Sequence, residues 1–496
     1  MQTHFFALEV PRAHVKAVKT ALESKDLRNR EFKISRISSL DTEETCGEVY
    51  FVPTLIEVDG REVGEQSKSK IFQDLGINHL ADYIHITTYS NPQPGQALNS
   101  KKMDPLAEAV RIFIHDFDII RPEDLSTSTA SLILSLPHSY SIYPPLLLLP
   151  HNSFATPEWV HILYIVMDNS DRYCFFQHIA WKMGVTHIAI DHPIPSYIPG
   201  SDTPNVQRRP RITNLYGDFG THISTAKVSP CCLTNAFWVS TKQNGITQIW
   251  APLYTMFSRG NIKEKTRLLQ LPSMVLPPPT GAKGQCAVDM YAGIGYFAFS
   301  YLKAGLGKVL CFELNPWSVE GLRRGALANS WRCEVFTEND VAQLDSDDER
   351  MKDPEIRLLV FHMDNQKAIE VVKRIGEGVS PIRHVNLGLL PSSRASWDGA
   401  VRVLDQELGG WLHVHENLAE RDIQRKAAEI TREIESKLEG IARGGDYKTN
   451  TKDPCSGAGT ERMTAKLEHV EKVKSYAPGT IHCVLDIHIK SLGDSD

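Results

Sequence analysis

The chain has 496 residues, 42% of them hydrophobic and 23% charged, with a formal net charge of −6. That length exceeds what one hydrophobic core usually supports, and that composition excludes a wholly disordered or fibrous chain, so a folded protein of two or more domains is expected. Net negative charge also excludes a chain that grips nucleic acid by general electrostatics; any RNA contact is then local, and DNA is not expected as a partner.

Nine cysteines occur without a CxxC pair, and only Cys231 and Cys232 are adjacent. This suits neither a disulfide framework nor a four-ligand zinc site, so a reducing cytoplasmic compartment and no metal are expected. The N-terminal stretch MQTHFFALEVPRAHVKAVK lacks a basic segment followed by a long apolar core, and YPPLLLLP is far too short to span a bilayer. Neither secretion nor membrane insertion is predicted.

Along the chain, HVKAVKTALES reads as a helix and GEVYFVPTLIEV as a strand. Residues 1–235 show no regular alternation of the two and read as a mixed α/β domain. Pro-rich punctuation at SIYPPLLLLP and HPIPSYIPGSDTPNVQRRPR predicts ordered loops or subdomain edges. A second domain, residues 236–496, opens with a lead-in segment over 236–280, and the run Pro272–Gly284 marks the start of its core.

From Gln285 the pattern alternates. CAVDM, KVLCFE, RLLVFHMD, HVNLGLL and GGWLHVHE read as strands, with helices after Gly293, Pro316, Asn365, Ser393 and Leu418. This predicts a doubly wound, mostly parallel α/β sheet covered on both faces, with ligands at the strands' C-terminal ends. In EKVKSYAPGTIHCVLDIHI a Pro-Gly turn between two β-prone runs predicts a closing antiparallel hairpin. DSDDERMKD and ARGGDYKTNTKDPCSGAG read as solvated insertions.

The strongest local signal is Asp289-Met-Tyr-Ala-Gly293-Ile-Gly295, an acidic strand end running through a glycine turn into a helix. The turn lacks the third glycine of a dinucleotide fingerprint and the Lys-Ser/Thr pair of a P-loop, so a polyphosphate is not expected. Glu313, in CFELNP, ends the next strand where a carboxylate can accept both hydroxyls of a ribose. Alternatively the glycines only make a tight turn and Glu313 caps the following helix. Asp364 and Asn365, in FHMDNQ, either face an adenine edge or form a helix cap.

The block DMYAGIGYF, CFELNP, HMDNQ, HVNLGLLPSS and VKSYAPGTIHCVLDI, with WAPLYTMFSRGNIKEK upstream, resembles the tRNA wybutosine-synthesizing protein 2 family, relatives of the guanine-N1 tRNA methyltransferases. The likeness covers about residues 236–490, with YPPLLLLPHNSF and VTHIAIDHPI extending it weakly upstream. It implies a class I S-adenosylmethionine-binding fold that moves the 3-amino-3-carboxypropyl group of S-adenosylmethionine onto the base 4-demethylwyosine in the anticodon loop of tRNA(Phe), releasing methylthioadenosine. It also implies cofactor contacts from Ser258 and Lys265 of SRGNIKEK, from Glu313 at the ribose, and from Asp364 and Asn365 at the adenine. Lys265 would hold the methionine carboxylate; otherwise Lys263, Lys265 and Arg267 form a solvated basic face or touch phosphate.

Asn386, counted with the cofactor contacts, opens NLGLLPSS, where the methyltransferase relatives typically carry Asn-Pro-Pro-aromatic. The departure disfavours ordinary amino-group methylation and fits a different sulfonium carbon being presented. No catalytic base is assigned: alternation in WLHVHE puts His413 and His415 on one strand face, where packed histidines are commoner than bases, and leaves Glu416 at the strand end. QRRPR, Gln207–Arg211, and the aromatics Trp250, Tyr254 and Phe257 are candidate tRNA contacts; packing at a domain junction is the simpler role for the aromatics. Guanine-N1 methylation of tRNA and a catalytically silent RNA-binding role stand as the alternatives.

Overall fold

The computed structural model describes residues 4–29, 34–37, 49–57, 65–90, 104–117, 128–198, 202–220, 228–274, 284–345, 347–443 and 463–491. They fall into two compact units, Met1–Asp104 and Pro105–Asp496.

The first unit contains β1 (His4–Pro11), α1 (Val15–Ser24), β2 (Ser35–Ile37), β3 (Val49–Glu57), α2 (Glu65–Leu75) and β4 (His85–Ser90). Its strands form an antiparallel sheet in the order β2-β3-β1-β4. Val18 and Leu22, one turn apart on α1, bury against Leu8, Val10 and Val52 of the sheet. The helix and strand expected here both form.

The second unit begins with α3 (Pro105–Asp116), α4 (Thr129–Leu134), β5 (Ser141–Tyr143), β6 (Leu146–Pro150), α5 (Pro157–His161), α6 (Asn169–Met183), β7 (His187–His192) and β8 (Arg211–Tyr216). The apolar run of β6 is the inner strand of a small sheet ordered β5-β6-β7-β8, in which only β6 and β7 are parallel. Phe113, Trp159 and Phe175 fill its core. A capping box between Asp168 and Asp171 starts α6, and Gly184 ends it in the left-handed conformation.

Next come α7 (Pro230–Asn235), the hairpin β9 (Val239–Gln243) and β10 (Ile246–Trp250), and α8 (Ile262–Leu268). The boundary expected at residue 235 thus lies inside the second unit. Most of the expected break at Pro272–Gly284 lies outside the described residues.

The remainder is β11 (Cys286–Asp289), α9 (Ala298–Ala304), β12 (Lys308–Phe312), α10 (Pro316–Ala328), β13 (Arg332–Phe336), α11 (Glu338–Ala342), α12 (Glu349–Lys352), β14 (Ile356–Phe361), α13 (Ala368–Ile375), β15 (Ile382–Leu387), α14 (Trp397–Val403), β16 (Gly410–Ala419), α15 (Ile423–Arg443), β17 (Met463–Ala477) and β18 (Thr480–Ser491). They build an eight-stranded sheet in the order β13-β14-β12-β11-β15-β16-β18-β17. It is parallel as far as β16 and closes with the expected antiparallel hairpin, turned at Pro478-Gly479. Every residue of β11, β12 and β15 is buried, as strands covered on both faces require. The chain leaves β11 towards β12 and returns on its other side at β15, so the switch point lies between β11 and β15.

DSDDERMKD is not merely a solvated insertion. Its residues 349–352 form α12, and Met351 is buried in the core. ARGGDYKTNTKDPCSGAG lies almost wholly outside the described residues.

Candidate active site

Loops after β11, β12, β14 and β15 open onto a cleft of about 390 Å³ at the C-terminal ends of those strands. Glu313, Asp364, Ser258, Lys474, Arg208 and Tyr476 line it, coming from five separate stretches of the chain.

Glu313 follows β12. Its Oε2 accepts the amide of Gly293 at 2.8 Å and its Oε1 accepts the amide of Asn315 at 2.7 Å. Burial pushes its carboxyl above the ordinary range, against the pull of those amides. Gly293 has φ +56, and a Cβ there would meet the Tyr296 ring at 2.8 Å, so glycine is required both by the turn and by the ring behind it. Two carboxylate oxygens offer about four acceptor positions, so the backbone amides leave capacity for a ligand hydroxyl.

Asn365 Nδ2 donates to the Met290 carbonyl at 2.7 Å, and its Oδ1 accepts from Ser396 Oγ at 3.1 Å. Ser396 Oγ lies 2.6 Å from the Tyr291 hydroxyl, which must then be the donor. Four cleft-lining residues are thereby tied into one wall. Asp364 caps the turn that follows, accepting the Gln366 amide on Oδ1 at 2.9 Å, and Oδ2 stays available among the described residues. Met290, Leu314 and Met363 add apolar surface to the cleft.

Four expected cofactor contacts are placed elsewhere. Asp289 and Asn386 are register partners on β11 and β15 and are both fully buried, with Asn386 Nδ2 donating to Asp289 Oδ1 at 3.0 Å. They join the two strands at the switch point and do not line the cleft. Burial pushes the Asp289 carboxyl up to about 6, partly offset by Asn386 and the Tyr291 amide. Gly295, at φ +87, backs onto the Phe299 ring. Lys265 is buried, its Nζ donating to Gln248 Oε1 at 2.7 Å and Gln243 Oε1 at 3.1 Å beneath the Phe257 and Tyr296 rings. Burial, then the nearby Lys474, brings its ammonium down to about 7.

Arg267 is committed too, forming paired hydrogen bonds with Glu264 and with Asp486 of β18, so of the expected basic face only Lys263 is exposed. Burial opposes ionisation of Asp486, yet His413 and Arg267 hold it below the ordinary carboxylate range. His413 Nδ1 lies 2.7 Å from Asp486 Oδ1, and its Nε2 lies 3.2 Å from His384 Nδ1. His415 lies against His482, and Glu416 accepts from Ser392 Oγ at 2.7 Å. None of His413, His415 and Glu416 lines the cleft.

Sequence reasoning missed Lys474 and Tyr476, which the closing hairpin brings to the cleft, and foresaw Arg208 only as part of a basic run. Arg208 sits at φ +49, and its Nη1 donates to the Leu390 carbonyl at 2.8 Å. Trp250 and Tyr254 are buried, packing with Phe257 and Trp317. Among the described residues no group of His, Cys, Asp or Glu could hold a metal ion.

A doubly wound sheet, a glycine turn at its switch point and a ribose-type carboxylate on the next strand define a class I S-adenosylmethionine-dependent enzyme fold. Residues 240–376 match the TRM5/TYW2 methyltransferase domain. The chain is 42% identical to tRNA wybutosine-synthesizing protein 2 of Schizosaccharomyces pombe over 62% of this chain and 67% of that one. To the Saccharomyces cerevisiae protein of the same name it is 32% identical over 72% and 75% respectively. A solved P. horikoshii TYW2 in complex with MeSAdo is 19% identical, covering 77% of this chain and 99% of that one at TM-score 0.46. The chain belongs to the tRNA wybutosine-synthesizing protein 2 family.

Proposed function

We propose that this enzyme transfers the 3-amino-3-carboxypropyl group of S-adenosylmethionine to C7 of 4-demethylwyosine in tRNA(Phe). The observation that carries the nucleoside site is Glu313, whose carboxylate is fixed by one amide on each oxygen at the rim of a cleft deep enough for an adenosine. Asp364 Oδ2 is available to accept an adenine amino group, and Met290, Leu314 and Met363 offer apolar contact to the ring.

S-adenosylmethionine supplies an electrophilic carbon beside a sulfonium leaving group. C7 of the base attacks the γ-carbon of the aminocarboxypropyl chain, the sulfur–carbon bond breaks, and its electron pair leaves with neutral methylthioadenosine. The ring proton is then lost to restore the aromatic base. The chain's task is to hold nucleophile, carbon and sulfur in line, which is worth several orders of magnitude in effective concentration. No covalent enzyme intermediate is required.

On the acceptor side in this reading, the base is received by Arg208, Tyr476 and Leu390 of the loop NLGLLPSS, all of which line the cleft. Tyr476 is half-exposed, as a stacking surface for an unstacked anticodon-loop base must be. Residues 1–235 supply further tRNA contacts in this reading. The free thiols Cys286, Cys311 and Cys483 fit a reducing cytoplasm. Among the described residues no helix is long and apolar enough to cross a membrane.

The test incubates the pure protein with S-adenosylmethionine and tRNA(Phe) bearing the tricyclic precursor, then identifies the products by mass spectrometry. Methylthioadenosine and a nucleoside heavier by one aminocarboxypropyl group are expected. S-adenosylhomocysteine with methylated guanosine would instead mean guanine-N1 methylation, and neither product would leave a silent binding protein.

A further inference from the structure

We infer that Lys474, seated beside Ser258 and cradled by Gly260, binds the α-carboxylate of S-adenosylmethionine and so fixes which sulfonium carbon is presented for transfer. This deepens the proposed function and rests on it. Lys474 stands on β17, lines the cleft, and brings its Nζ to 3.4 Å from Ser258 Oγ. A cation and a hydroxyl donor so placed can share one carboxylate, a charge-assisted arrangement.

Three further observations mark a built site. First, a Cβ on Gly260 would fall 2.8 Å from Lys474 Nζ and 2.9 Å from its Cδ, so the lysine end rests directly on the glycine and a larger residue there would displace it. Second, no carboxylate pairs with Lys474 among the described residues, and burial lowers its ammonium's pKa with no counter-charge to offset it. A partly buried cation without a counter-charge is costly unless a ligand supplies the anion. Third, α8 is pinned to β17 by Lys263, whose Nζ reaches Glu471 Oε1 at 2.5 Å and the Lys472 carbonyl at 2.6 Å, holding Ser258 and Lys474 to one spacing.

The competing cations are engaged. Lys265 is enclosed by two glutamine amides and two rings and does not line the cleft. Arg208 bonds the Leu390 carbonyl beside the acceptor loop. With its carboxylate held at Lys474 and its ribose at Glu313, the aminocarboxypropyl chain is anchored at both ends and its γ-carbon is positioned between them.

The experiment measures the affinities of S-adenosylmethionine, its decarboxylated analogue and methylthioadenosine by calorimetry on the full chain and on K474M, G260A and K265M. Wild type is expected to prefer S-adenosylmethionine over the decarboxylated analogue by about tenfold or more, the worth of one charge-assisted hydrogen bond. K474M should bind both alike while keeping its affinity for methylthioadenosine, and G260A, which leaves the lysine but crowds its stem, should shrink the preference. An undiminished preference in K474M, or one abolished in K265M alone, overturns the assignment. So does a K474M that loses methylthioadenosine in the same proportion, because its role would then be structural. A wild-type protein that binds none of the three removes the proposed function and this inference together; one that binds all three equally removes the inference and leaves the function standing.

Discussion

Glu313 and Gly293 join the loops after β12 and β11 by a 2.8 Å hydrogen bond from the glycine amide to the carboxylate, which orients the acid before any ligand arrives. A preorganised acceptor loses little freedom on binding, so its contribution to affinity is large for one side chain. Glu313→Ala is expected to weaken methylthioadenosine binding by at least about tenfold, the cost of losing hydrogen bonds to a charged group. The decisive comparison uses the 2′-deoxy ligand. Wild type should discriminate against it and Glu313→Ala should not; retained discrimination in the variant would place the ribose elsewhere.

Asp289 bears on stability through pH. Its folded pKa of about 6 lies above the ordinary value of 3.8, because burial disfavours the charged form. The stability contributed by its protonated form is therefore fully present below about pH 4 and lost as pH rises through about 6. Asp289→Asn keeps an acceptor for Asn386 and the Tyr291 amide and removes the charge. We expect it to stabilise the fold at pH 7 by up to about 3 kcal/mol, given ~1.4 kcal/mol per pKa unit, with the gain vanishing near pH 4. Denaturant unfolding at the two pH values checks this, and a variant destabilised at pH 7 would show that the ionised carboxylate is needed.

The parallel core was legible because strands buried on both faces read as continuous apolar runs, and β11, β12, β14, β15 and β16 stand where those runs lie. β13 escaped because Arg332 and Glu334 interrupt its five residues at the sheet edge. Glycine turns and strand-end acids located the cleft, yet motif position alone does not tell which side of a strand end a side chain takes. Asp289 and Asn386 turn inward to each other because their strands pair in that register, and register is a tertiary fact. Lys474 and Arg208 reach the cleft only through a distant hairpin and loop, so the basic run around Arg208 marked a cation without its place and no local pattern singled out Lys474.

Beneath α8, Arg267 is shared between Glu264 and Asp486, with His413 on the far side of Asp486. Removing one member of such a buried set strands the others, and the usual cost is about 3–5 kcal/mol. Arg267→Met should therefore destabilise the second unit by that order in denaturant unfolding. It should also weaken S-adenosylmethionine binding, because α8 carries the segment that sets Ser258. The double variant Arg267→Met with Asp486→Leu should recover part of the loss; no recovery would mean that the pair is not the source of the cost.

Arg208 offers the clearest way to separate acceptor from donor. Its left-handed φ is imposed by Asn205, whose side chain bonds the Pro195 and Arg209 carbonyls, each at 3.0 Å, and accepts the Arg209 amide at 2.9 Å. A left-handed residue with a Cβ costs about 1–2 kcal/mol. Strain of this kind persists where surrounding structure over-determines it, and such positions gather at functional sites. Arg208→Gly is then the clean deletion, since glycine accepts the φ and only the guanidinium is lost. If that group holds a phosphate or base edge of the tRNA, KM for tRNA should rise about tenfold and the salt dependence of tRNA binding should fall by about one unit of slope. S-adenosylmethionine affinity should not move. An unchanged KM for tRNA with weakened S-adenosylmethionine binding would put Arg208 in the donor half of the cleft instead.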